Sequence, residues 1–337
     1  MLLTGLSADA KEPINPELGS MDDVDEIVRR ASQYSIRVLV ELNAGQGDLN
    51  SAARLWLVHG AAGFYAPGAS PQQLADLKRT AGSFAGQRVV IGDREADGAP
   101  GHGTDAPALV ADGRAGTGEK LSPSSLRTGL EASQQIADQG RSMPLLFSDG
   151  PGLKRSFTRY GDGTHDTTIA KGVAATLLTN RGAAMLYFGQ ELGVADGTNE
   201  LAFGEAKKGE TPAAGSEAAG NASGASLLNW YRQLTAVAHS NRTIASGAMT
   251  ILNHDDQNVV AWIRRPASVS PSTPAIIVVE NLSSQPVTLS LKEDVQRLHL
   301  KGSFLRTLLR SDQAMGAMHL DSMTLEPYMV FIGELRY

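Results

Sequence analysis

Four short apolar runs in this chain each end on a side chain that can bind a ligand or move a proton. The run VLVE closes on Glu41, with Gln46 just beyond it. VVIGD closes on Asp93, LLFSD on Asp149, and MLYFGQE on Gln190 and Glu191. Carboxyl groups held in this way can act as general acids or bases, or accept hydrogen bonds from hydroxylated ligands. A fifth run, GFYAPG at residues 63–68, ends in the same manner but carries Tyr65 and Pro67 where an acid would stand. Each carboxylate also has a plainer reading. Asp93 can cap the turn that follows its strand, Asp149 ahead of GPG can form an Asx-turn, and Glu191 can anchor a loop.

Side chains at the ends of apolar runs need elements to position them. In DVDEIVRRASQYSIRVLVELN, Val24, Ile27, Val28 and Ala31 recur at helical spacing behind a capping Ser20, and the continuous run Ile36–Leu42 follows. Such a run suits a strand buried on both faces, as in a parallel sheet. Helix, break and strand recur through SAARLWLVHGAAGFYAP and through SPQQLADLKRTAGSFAGQRVVIGD, whose strand is Val89–Ile91. They recur again towards Leu145–Phe147 and Met185–Phe188. This alternation predicts an α/β fold, a (β/α) TIM-type barrel with its chemistry at the C-terminal ends of the strands. Residues 206–226, rich in Gly, Ala, Ser and Glu, read as a loop or linker. The helix SLLNWYRQLTAVAHSN presents Leu227, Leu228, Tyr231 and Leu234 on one face. Close-spaced strands then follow, among them NVVAWIRR, PAIIVVEN and YMVFIGEL, and predict an antiparallel β-sandwich. The expected division is 1–242 for the barrel and 243–337 for the sandwich.

Composition narrows the function. The net charge is -6 and no basic stripe is present, which argues against nucleic acid. With no cysteine, disulfides and thiolate metal sites are excluded. The start has no basic n-region, and no segment reaches the roughly 20 apolar residues of a membrane span. The expectation is a soluble, cytoplasmic chain, of bacterial composition, with no cofactor and no metal. RYGDGTHD, residues 159–166, matches no ligand spacing and reads as a turn. His59 reads as a helix C-cap, and His254 with Asp255 and Asp256 as a hairpin turn. Asn221, Asn241 and Asn281 open glycosylation sequons.

The segments resemble the α-amylase superfamily of glycoside hydrolases, the α-glucosidase and amylase type of glycoside hydrolase family 13. The resemblance rests on INPELGSMDDVDEIVRRASQYSIRVLVEL, LWLVHGAAGFYAP, TLLTNRGAAMLYFGQELG and SLLNWYRQLTAVAHSN with the later VVAWIRR. It implies a barrel short of its first β/α unit, since LLTGL matches the second strand, and an almost absent lobe after the third. The family splits glycosidic bonds with a nucleophilic Asp and an acid/base Glu. Carried over, the nucleophile falls on Pro67, its arginine on Tyr65 and the acid on Asp93, one methylene shorter. Misplacements of about 1 Å near a reacting atom can cost roughly 100-fold. The second sugar-binding Asp falls on Asp149. The resemblance therefore implies a catalytically inactive relative, with Asp93 and Asp149 as residual carboxylates. Asp149, Glu41, Gln46 and Glu191 are its candidates for binding an α-glucan or malto-oligosaccharide. Two alternatives stand beside it. One is a scaffold similar to the heavy-chain ectodomain of amino-acid transporters, with a protein partner completing the barrel. The other is a weakly active α-glucoside hydrolase.

Overall fold

A computed structural model describes residues 1–7, 11, 13–93, 106–197 and 226–337. Seven short strands make one sheet in chain order: β1 (Leu2–Leu3), β2 (Leu39–Glu41), β3 (Gly63–Ala66), β4 (Val89–Asp93), β5 (Leu109–Asp112), β6 (Met143–Leu146) and β7 (Ala183–Ala184). The pairings from β1 to β5 are parallel. Between strands run α1 (Met21–Gln33), α2 (Leu49–Val58), α3 (Pro71–Gly82), α4 (Pro123–Asp138), the short α5 (Ser156–Tyr160) and α6 (Asp166–Thr179). This is the barrel-type arrangement expected from the alternating pattern.

The chain divides into two compact units. The first comprises Met1–Asp112 and Ile136–Leu145, the second Gly113–Gln135 and Leu146–Tyr337. In the first, Ser20 starts α1 through a reciprocal capping box with Asp23, and Ser70 starts α3 through one with Gln73. These helices and α2 bury Val24, Trp56, Leu74 and Leu77 against Val40, Phe64 and Val90 of the strands. Gly63 opens β3 at φ +155°, and a Cβ there would stand 2.0 Å from the Val89 carbonyl oxygen. Glycine is thus what lets β3 and β4 lie side by side.

In the second unit, α7 (Leu227–Ser240) and α8 (Arg242–Ser246) lead into β8 (Ala248–Leu252), β9 (Val259–Arg265), β10 (Ile276–Asn281), β11 (Val287–Leu289), α9 (Lys292–Arg297), β12 (Phe304–Arg310), β13 (Ala317–His319), β14 (Met323–Leu325) and β15 (Val330–Arg336). They form a six-stranded sheet, β13-β12-β15-β10-β9-β8, and a two-stranded sheet, β11-β14. Strand alternation sends Val260 and Trp262 of β9 to a core shared with α6 and α7, and Val259, Ala261 and Ile263 to a second core with Leu305 and Phe331.

Several expectations are corrected. A strand stands where none was expected: Leu109–Asp112 forms β5 and ends on the buried Asp112. The strand expected at Met185–Phe188 lies earlier, at Ala183–Ala184, and Phe188 is 61% exposed. Ile36, expected in a doubly buried strand, lies outside β2 and is 45% exposed. Asn281 is no sequon acceptor in the folded chain. It is buried, and its amide nitrogen donates to the carbonyls of Gln285, Leu325 and Glu326. The loop expected at 206–226 lies outside the described residues up to 225, as does Asn221. Ser226 caps α7. No helix among the described residues is long and apolar enough to cross a membrane.

Candidate functional site

The first unit brings three of the strand-end groups onto one face of its sheet. In the parallel register Glu41 stands level with Tyr65, and Tyr65 level with Ile91. Residues two apart on a strand share a face, so Asp93 lies on the same side as Tyr65 and Glu41. The Tyr65 hydroxyl donates to Asp93 Oδ1 at 2.7 Å and the Gly68 N–H donates to Asp93 Oδ2 at 2.8 Å. Pro67 has no N–H, and Gly68 turns at φ +69° to offer the next one. Both oxygens of the Asp93 carboxylate are thus engaged by groups at the end of β3. Burial, the bond to Asp93 and the nearby carboxylates push the Tyr65 phenol well above its ordinary range. Burial first, then the charge of Asp93, raises the Glu41 carboxyl.

Beside this cluster lies a cleft of about 960 Å³. Its polar walls include Glu41 at the end of β2, Asn43 and Gln46 beyond it, and Ser7, Lys11 and Asn15 after β1. Glu41 and Gln46, two of the four sequence-derived binding candidates, therefore share one cavity. Gln46 is exposed.

The other two candidates belong to the second unit. Asp149 is 2% exposed. Its Oδ2 accepts from the Ser148 hydroxyl at 2.5 Å and its Oδ1 from the Ser156 N–H at 2.6 Å, the first N–H of α5. Ser148 Oγ in turn accepts from Gln190 Nε2 at 2.9 Å. Arg159 clasps the carbonyls of Ser148 and Gly116, both at 2.7 Å. The buried Tyr231 phenol is pushed up by burial first and then by the charge of Asp149. Asp149 thus organises the loop after β6, but not as an Asx-turn: residue i+2 is Pro151, which has no N–H to give, and the backbone donor is Ser156, seven residues on. Glu191 is half-buried in the single turn Gln190–Leu192.

Sequence reasoning missed three partners: the Tyr65 hydroxyl, the Gly68 N–H and the Gln190–Ser148 relay. The Tyr65–Asp93 pair could have been found from strand register, but the other two depend on turn geometry. The remaining polar motifs are local structure. His59 caps α2 and its Nδ1 pairs with Asp25 at 2.7 Å. Asp162 is hydrogen-bonded by the backbone N–H of His165, by the His165 ring and by the backbone N–H of Thr164, which hold its carboxyl down at about 2. Asp256 Oδ1 accepts from the backbone of Asn258 and Val259 in the β8–β9 turn. Among the described residues no three His, Asp or Glu side chains are grouped to hold a metal ion.

By sequence, no family model and no curated protein matches the chain. By structure, it is similar to trehalose-6-phosphate hydrolase of Bacillus licheniformis, at a TM-score of 0.77 and 13% identity, over 96% of this chain and 88% of that one. It is similar to the trehalulose synthase of Pseudomonas mesoacidophila MX-45, at 0.74 and 14%, over 98% and 88%. A third likeness is to the isomaltulose synthase of Klebsiella sp. LX3, at 0.74 and 14%, over 96% and 87%. The chain therefore has the fold of the α-amylase superfamily, with a barrel-type parallel sheet and an antiparallel C-terminal part.

Proposed function

We propose that this chain is an α-glucoside-binding relative of the α-amylase superfamily that has lost the retaining reaction. One observation carries the reading: Asp93 gives one carboxylate oxygen to Tyr65 and the other to Gly68, on either side of a proline at the nucleophile's place. Retaining hydrolysis needs two carboxyl groups flanking the scissile bond, one of them free to attack the sugar. Proline has no nucleophilic atom. Asp149, the match to the sugar-binding Asp, is likewise engaged on both oxygens.

Binding is supported by the cleft of about 960 Å³ beside Glu41 and Gln46. Polar side chains that offer both donors and acceptors suit the hydroxyls of a malto-oligosaccharide. The solved structures with this fold include a trehalulose synthase in complex with isomaltulose. In the same reading, residues 1–242 serve as the barrel and 243–337 as the sandwich, and the first strand of the sheet takes the place of the family's second.

Release of p-nitrophenol from p-nitrophenyl α-glucoside tests the loss of chemistry, with an Asp93→Ala/Asp149→Ala variant alongside. The expected result is no turnover in either protein. Turnover that disappears in the variant overturns the reading. Calorimetry with maltotriose tests the other half. Heat at millimolar sugar, lost in Glu41→Ala/Gln46→Ala, supports the cleft, and no heat removes the binding role.

A further inference from the structure

We propose that a groove in the second unit, lined by Arg181, Ser246 and Arg265, binds an oxyanion carried on a small organic skeleton, such as a phosphate monoester. The groove holds about 530 Å³, within the size range of small-molecule sites. Among the described residues its polar side chains are two guanidinium groups and one hydroxyl, with no carboxylate. That is notable in a chain with 36 acidic and 30 basic residues. Pro266, Val269 and Leu300 supply an apolar wall. A bare ion makes no use of such a wall, whereas the carbon atoms of an organic phosphate do.

Arg265 is the last residue of β9. Its Nε is buried with no hydrogen-bond partner, and its one side-chain bond, to Thr250 Oγ1, is long at 3.4 Å. It forms no ion pair among the described residues. The neighbouring Arg264 points to the other face of the strand and is fully buried. Its guanidinium donates to the carbonyls of Thr179, Asn180 and Gly247, which close α6 and α8. Two helix C-termini therefore answer the charge of Arg264, and nothing comparable answers that of Arg265. Arg264 is held down at about 10, first by burial and then by the positive charge of Arg181, which places Arg181 in the same corner. A guanidinium presents paired N–H donors that match two oxygens of a phosphate. The inference is independent of the α-glucoside reading, because it uses none of the strand-end residues.

The test uses the full chain and inorganic phosphate, with chloride at equal ionic strength as the control. The midpoint of thermal unfolding is expected to rise by about 3 °C in millimolar phosphate beyond the chloride effect. Arg265→Gln and Arg181→Gln are each expected to weaken phosphate binding by at least about tenfold in calorimetry. If Arg265→Gln fails to fold, Arg181→Gln carries the test, since its side chain lies at the groove surface. Glucose 6-phosphate binding more tightly than phosphate supports the organic ligand and assigns the apolar wall a role. No phosphate effect beyond chloride, variants that bind as the parent does, or phosphate binding as tightly as every organic phosphate tried overturns the proposal.

Discussion

At the residue scale, Asp93 at the end of β4 is held by two donors from the end of the neighbouring β3. Tyr65→Phe leaves Asp93 with the Gly68 N–H alone and is expected to cost about 1–2 kcal/mol in urea unfolding. An unchanged midpoint would show that water replaces the hydroxyl at no cost. Asp93→Asn removes the charge that helps raise Glu41, so the Glu41 carboxyl should titrate lower by NMR while keeping the part of its shift due to burial. A stationary Glu41 would count against any coupling of the two acids. Elsewhere, Glu280 is buried on β10, and its carboxyl accepts from the Thr176 hydroxyl at 3.3 Å from each oxygen. Burial holds its carboxyl well above the ordinary value. A raised acid contributes stability that is complete below its unfolded-state pKa and is lost as pH climbs through the folded-state one. The chain should therefore lose stability from about pH 5 upwards through this residue, and Glu280→Gln should flatten the curve. Parallel curves for the two proteins would refute this. Of the strand-end acids, Asp112 of the short β5 was hidden in the sequence, while Glu41, Asp93 and Asp149 were legible. Their engagement was not, because it depends on register between distant strands and on the turn that Pro67 and Gly68 impose.

At the element scale, two contacts set the strands and helices in place. Gly63→Ala puts a methyl 2.0 Å from the Val89 oxygen and is expected to cost about 3 kcal/mol or more, or to prevent folding. Recovery of a parent-like protein would mean that β3 and β4 separate easily. Arg264→Leu orphans carbonyls at the ends of α6 and α8 and is expected to cost about 3 kcal/mol. A loss below about 1 kcal/mol would show that the helix ends are satisfied by water. The helices were readable from spacing and caps, as at Ser20 and Ser70. Strands were harder. The four residues of β5, Leu109–Asp112, carry no period long enough to recognise. The run at Met185–Phe188 misled because apolar residues near a strand end need not be in the strand.

At the scale of the whole molecule, the two compact units carry different fluorophores. Trp56 belongs to the first, and Trp230 and Trp262 to the second. Their cores are also separate groups of residues, Leu42 and Phe64 with Trp56, and Val278 and Ile332 with Trp262. Because the second unit contains the long six-stranded sheet, its tryptophans are expected to report the later transition in urea. Comparing the parent with Trp56→Phe separates the two signals. A single midpoint for both would mean one cooperative block.

Asn281 has a consequence for how the chain can be made. Its amide hydrogens are spent on three carbonyls inside the fold, yet Asn-Leu-Ser invites a glycosyltransferase while the chain is still extended. In a cell that attaches glycans during synthesis, folding and modification would compete for the same nitrogen, and a sugar arriving first would bar the end of β10 from its place. Production where no such enzyme meets the nascent chain avoids that race, and Asn281→Gln would not restore it, since the longer side chain misplaces the amide that the three carbonyls need.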